Sequence, residues 1–117
     1  PKAPLPKAQR ITGLVLSSLV ALALSASAAG KLAKGPDVVA GFEQLGIPVH
    51  LSAPIGIVEL VVAVLSVLPW TRFFGVILVT GYMGGAMLTH IRVGEPFIVQ
   101  FLVGVVAWVG LALRDPR

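Results

Sequence analysis

The chain has 117 residues, of which 56% are hydrophobic and only 12% charged, where a soluble domain carries about 25% charged residues. It is too apolar for a water-soluble fold, and its length allows a single domain of membrane helices. Its net charge of +4 comes from basic residues scattered singly between apolar runs, with no basic stripe, which excludes nucleic acid as a partner. The absence of cysteine excludes disulfides, thiol redox chemistry, iron–sulfur clusters and thiolate metal sites.

Residues 1–10, rich in Pro and Lys, read as an extended cytoplasmic arm. Residues 11–117 read as one transmembrane domain. Ile11 to Gly30 is uncharged for twenty residues, enough to span a hydrocarbon core of about 30 Å. The same stretch has the features of a signal peptide: basic residues precede it, and Ala26-Ser27-Ala28 fits a cleavage site. It is read here as the first span. Gly13, Ser17, Ala21 and Ser25 recur at intervals of four and mark its packing face.

A long connection follows. Gly35-Pro36-Asp37 opens a helix, Val38, Val39, Phe42 and Leu45 give it an apolar face, and Gly46 and Pro48 stop it. This short amphipathic helix is expected to lie at the membrane interface. Pro54 to Leu68 is the second span, with Glu59 inside it. Pro69-Trp70-Thr71-Arg72 is a tight turn with Trp70 at headgroup level. Phe73 to Ile91 is the third span, Arg92 to Pro96 a turn, and Phe97 to Leu113 the fourth. The fold class is therefore all-α: an antiparallel four-helix transmembrane bundle with an amphipathic interfacial helix between the first and second spans.

Four spans put the arm, the Pro69–Arg72 turn and the C-terminus on one side, with Lys2, Lys7, Arg10, Arg72, Arg114 and Arg117. The other side has Lys31, Lys34 and Arg92. The positive-inside rule then makes both termini cytoplasmic.

Glu59 is the most informative residue. A carboxylate inside a span costs a few kcal/mol, so it faces the bundle interior and has a role or a partner. It falls roughly 8–10 Å below the outer surface, on one face with Gly56, Ala63 and Ser66. Lys31, Tyr82, Thr89, His90, Arg92 and Gln100 can reach the same level, whereas the inner half reads as almost purely apolar. Lys31, with its long stem, is the first-ranked partner for Glu59. Arg92 comes second because it can turn to Glu95, and His90 suits a neutral hydrogen bond.

Plainer readings stand beside this one. The pair can simply lock the bundle, His90 can serve a helix C-terminus, Thr89 can bond its own helix, and Gln100 can bridge helices. Gly81-x-x-x-Gly85 reads as helix packing, and His50 as a solvated loop residue. No second intramembrane histidine is present to hold haem with His90. Glu59, His90 and Glu95 lack diagnostic metal-site spacing. No catalytic motif is evident and no cofactor motif of the chain's own.

Several pieces resemble the DoxX-like family of small four-helix membrane proteins: Lys31-Leu32, Phe42-x-x-Leu45-Gly46-x-Pro48, Gly56-x-x-Glu59 and Leu68-Pro69. The most specific string is Thr80-Gly81-Tyr82-x-Gly84-Gly85-Ala86-x-x-Thr89-His90-x-Arg92-Val93-Gly94, and Leu113-Arg114-Asp115-Pro116 closes the set. The resemblance runs from about Ile11 to Arg117. It implies four transmembrane helices in a bacterial or archaeal cytoplasmic membrane. The family is named after a subunit of a thiosulfate:quinone oxidoreductase, so it also implies a quinone or lipid as a possible bound molecule, and other membrane subunits as partners. Two functions are carried forward. One is an accessory subunit of a larger, quinone-linked or other, membrane complex. The other is a stand-alone small-molecule binder, transporter or membrane enzyme that uses the outer polar cluster.

Overall fold

A computed structural model describes residues 5–115; residues 1–4, with Lys2, and residues 116–117, with Arg117, lie outside that range. The described chain is all-helical. The first helix, α1 (Lys7–Ala33), begins four residues before the expected span. The arm expected over residues 1–10 is therefore helical from Lys7. Pro6 supplies an extended entry residue, and Lys7-Ala8-Gln9-Arg10 are good helix formers with nothing to oppose them. Lys34, in the left-handed region at φ 54°, ends α1 by donating its N–H to the Gly30 carbonyl.

The amphipathic helix α2 (Pro36–Leu45) has Pro at its start, Asp37 in the first turn and Gly46 at φ 73° closing it, as its sequence dictates. A 3-10 turn at Val49–Leu51 leads into α3 (Ser52–Val67). The α3 helix begins two residues before the expected Pro54, because Ser52 is buried and its hydroxyl donates to the Lys31 carbonyl at 2.5 Å. The remaining helices are α4 (Arg72–Arg92) and α5 (Ile98–Arg114).

The four long helices pack in a ring, α1 against α3 and α5, and α4 against α3 and α5. The centre holds Val20 and Leu24 of α1, Val62 and Ala63 of α3, Val76, Val79 and Met83 of α4, and Ala107 and Leu111 of α5. Four glycines set how closely the helices approach, among them Gly110, where a Cβ would stand 2.7 Å from Ser17 Oγ. A Cβ at Gly13 would stand 2.7 Å from the Arg114 nitrogen, and one at Gly56 3.1 Å from the Ala28 carbonyl oxygen. One at Gly75 would overlap the backbone of Leu65 and Ser66. In lipid, where apolar side chains gain little by leaving their surroundings, such backbone proximity is a main source of helix association.

The outside of the ring is apolar. Leu19, Leu22, Ile57, Val61, Phe73, Ile77, Phe101, Leu102 and Val105 are all exposed, far beyond the patches a soluble monomer tolerates. Three helical stretches, Lys7–Ala33, Val49–Val67 and Arg72–Arg92, are long and apolar enough to cross a membrane. The fourth, Ile98–Arg114, is apolar but shorter at 17 residues. This is an integral membrane protein.

Gly75→Ala should force α3 and α4 apart and cost about 1–3 kcal/mol, the usual penalty of overpacking. Gly84→Ala should cost nothing, because no atom lies within 4 Å of its Cβ position. Unfolding by a denaturing detergent, followed by circular dichroism, would measure both.

Candidate functional site: a polar-lined cavity beneath α2

Lys31 is in the last turn of α1, and Glu59 lies one turn beyond Gly56 in α3. Because Gly56 has no side chain, the end of α1 comes against α3, and the Lys31 stem lies across the gap. Lys31 Nζ donates to Glu59 Oε1 at 2.8 Å and to Ser27 Oγ at 2.6 Å. Glu59 is 2% exposed and the Lys31 side chain 18%. The half-buried Tyr82 phenol stands against the Glu59 carboxylate as an electrostatic and hydrogen-bonding neighbour. The expected pairing of Glu59 with Lys31 is therefore present, with Tyr82 as a further member.

His90 Nδ1 lies 2.7 Å from the Ala86 carbonyl oxygen. A carbonyl only accepts, so this nitrogen carries the hydrogen and donates. The other ring nitrogen, Nε2, lies 3.4 Å from Gln100 Nε2, so α4 and α5 meet through a long amide-to-imidazole contact. Gln100 Oε1 is buried with no hydrogen-bond partner among the described residues.

Thr89 lines the same space as these groups, with its hydroxyl donating to the Gly85 carbonyl of its own helix. One expected member sits elsewhere. Arg92 reaches neither Glu59 nor Glu95: its guanidinium donates to the Leu45 carbonyl at 2.5 Å. It thus caps the C-terminus of α2 and ties that helix to α4. His50 is exposed in the 3-10 turn.

These groups line a cavity of about 750 Å³. Its apolar roof comes from Val38, Gly41, Phe42 and Leu45 of α2, and Glu59, Tyr82, His90 and Gln100 all face it. Gly81 and Gly85 were expected to pack a neighbouring helix. They line this cavity instead, with no atom within 4 Å of either Cβ position. A Gly-x-x-x-Gly pair bares backbone, and here the bared backbone faces open space. Among the described residues, no three His, Asp or Glu side chains gather as a metal site.

The opposite end of the ring is not purely apolar. Arg114, only 3% exposed, donates to the carbonyls of Ser66 and Val67, and Arg72 pairs with Asp115 at 3.5 Å. The cause is Pro69. A proline pushes the residue before it out of the helical region, and Leu68 is accordingly extended. No left-handed cap forms, so the last α3 carbonyls need other donors. Thr71 Oγ1 takes Leu65, and Arg114 takes the next two. A basic residue at a chain end reads as solvated, and no signal in the sequence marks it as a cap for another helix.

An all-helical chain with an apolar exterior and a cavity that carries a few polar groups defines the class: a small integral membrane protein. Comparison with protein families makes this specific, for the model of the DoxX-like family matches residues 15–113. The chain belongs to the DoxX-like family. The match ends before Arg114-Asp115-Pro116. No curated protein and no solved structure matches significantly.

Removing Glu59 as Glu59→Ala strands Lys31 and should destabilise the protein by roughly 2–4 kcal/mol, whereas Glu59→Gln keeps an acceptor for Lys31 and should cost less than about 1 kcal/mol. Unfolding of the two variants in matched micelles checks the difference.

Proposed function

We propose that the protein holds a membrane-soluble amphipathic molecule, a lipid or a quinone, in the cavity beneath α2, and does so as a subunit of a larger membrane complex. The single observation that carries this reading is the cavity itself. Its volume of about 750 Å³ falls within the usual range for small-molecule pockets of about 300–1,000 Å³. Its walls are mainly apolar, with a few polar groups gathered from four helices. A ligand carbonyl or hydroxyl oxygen would meet a free donor. Lys31 has three N–H bonds, and two of them are used on Ser27 and Glu59. The Tyr82 O–H is turned to Glu59, which leaves its oxygen to accept from a ligand hydroxyl.

In the membrane arrangement that goes with this reading, α1, α3, α4 and α5 cross antiparallel. The amphipathic α2 lies at the outer surface, over the cavity, and both termini are cytoplasmic. The charge bias supports it: Lys7, Arg10, Arg72 and Arg114 gather at the end away from α2. The second reading, a stand-alone binder or transporter, is favoured by the fact that Glu59, Tyr82, His90 and Gln100 share one open cavity.

Purification in a mild detergent tests both. A stoichiometric membrane partner together with an extractable amphipath supports the subunit reading. A ligand-bearing chain without a partner supports the second. Gly81→Leu or Gly85→Leu should fill the cavity and abolish ligand retention with little loss of stability, because each new side chain enters open space. Retained ligand in both folded variants would refute the cavity as the site.

A further inference from the structure

The cavity has a charge balance of its own. Among the described residues lining it, Lys31 and Glu59 are the ones that carry formal charge, and they neutralise each other at 2.8 Å. From α2 come Val38, Gly41, Phe42 and Leu45, and from α5 only Gln100. On α4, Tyr82 and His90 are the titratable groups, and His90 is engaged through Nδ1–H with Ala86 and through Nε2 with Gln100. Arg92, the nearest further cation in sequence, is turned to the Leu45 carbonyl. A ligand entering this space meets a mainly apolar surface whose ion pair carries no net charge.

Resting on the cavity as the ligand site, we propose that Glu59 sets the charge selectivity of that site. It admits uncharged amphipaths and turns away anionic ones by neutralising Lys31. An uncharged head group needs only hydrogen bonds: the third Lys31 N–H donates one, and the Tyr82 oxygen accepts one from a ligand hydroxyl. An anionic head group would lose its hydration in an apolar cavity and find its one candidate counter-ion already matched, so its charge stays uncompensated. Glu59 is 2% exposed while Lys31 is 18% exposed and faces the cavity. Both residues line the cavity, and the carboxylate is the more deeply buried of the two, placed to cancel the charge of the ammonium. Glu59 is in this sense a positioning residue, acting on the ligand through Lys31.

The test uses the full chain in nanodiscs of uncharged phosphatidylcholine, with a labelled fatty alcohol and the fatty carboxylate of the same chain length, at alkaline pH where the carboxylate is ionised. The wild-type protein should bind the alcohol more tightly by about tenfold or more, as an uncompensated charge in a low-dielectric site requires. In Glu59→Gln, Lys31 becomes an unmatched cation facing the cavity. Affinity for the carboxylate should rise by about tenfold or more, while that for the alcohol changes by less than about threefold. The double variant Lys31→Met with Glu59→Leu is neutral again and should not gain carboxylate binding. A merely structural role for Glu59 predicts parallel changes for both probes and no such reversal. Equal binding of the two probes by the wild-type chain, or no gain of the carboxylate in folded Glu59→Gln, would overturn the proposal while leaving the cavity as a binding site. Absence of binding of both probes by wild type and both variants would overturn the cavity reading, and this inference with it.

Discussion

A carboxylate inside an apolar bundle must have a counter-charge, and the end of this protein that carries α2 is organised around that requirement. Glu59 takes its charge partner from another helix, so the end of α1 must come within reach of α3. Gly56 makes the approach possible by leaving bare backbone one turn before Glu59, against Ala28 and the Lys31 stem. Ser52 fastens the same junction from the loop side by donating to the Lys31 carbonyl. One residue, Lys31, therefore joins α1 to α3 through both its ammonium and its backbone. With α1 and α3 held together there, α4 stands off at Gly81 and Gly85, and the gap between them becomes the cavity. Closing that gap with larger side chains would leave the ion pair intact and remove the space beside it, so the ion pair and the open space depend on different residues of the same layer.

The sequence made the Glu59 pairing legible because the cost of burying a charge leaves few acceptable partners, and only a few cations reach that depth. His90 and Gln100 were legible as members of the same level for a related reason: polar residues are scarce in the spans, so their heights can be compared. The α1 packing face was legible only in part. Gly13 and Ser17 are buried, but Ala21 and Ser25 are only half-buried, and the buried face continues through Val20, Leu24 and Ala28. A ladder at strict intervals of four rotates by about 40° per step around a helix of 3.6 residues per turn, so it leaves the interface after two steps.

Other features depend on relations between segments that no local pattern contains. The glycines at 81 and 85 announce bare backbone without saying what stands beside it. Arg92 has Glu95 three residues away in sequence, yet it bonds Leu45, 47 residues distant. That choice depends on where α2 ends in space. Arg114 is held by the same kind of relation. Its partners are the uncapped carbonyls of Ser66 and Val67, and the need for a partner arises at Pro69, in a different turn. In both cases an arginine serves the end of a helix distant in sequence, a task for which its planar array of donors is well suited.

The unequal lengths of α1 and α5 have a consequence for the surrounding lipid. At about 1.5 Å per residue, the 27 residues of α1 extend about 40 Å and the 17 of α5 about 25 Å. These two helices are neighbours, fixed together near one end by the contact of Gly13 with Gly110 and Arg114. From that shared point, α1 continues 18 residues to Lys31, while α5 runs only 12 from Gly110 back to Ile98. The wall of the ring is therefore lower on the α5 side, at the end where the cavity lies. A short hydrophobic element is matched to a bilayer by local thinning, by snorkelling of its flanking residues or by association with other helices, and α5 is the helix of the ring that calls for such matching. Gln100 stands in the first turn of that short wall. The mismatch therefore falls on one side of the ring only, the side on which Gln100 stands at the rim of the cavity.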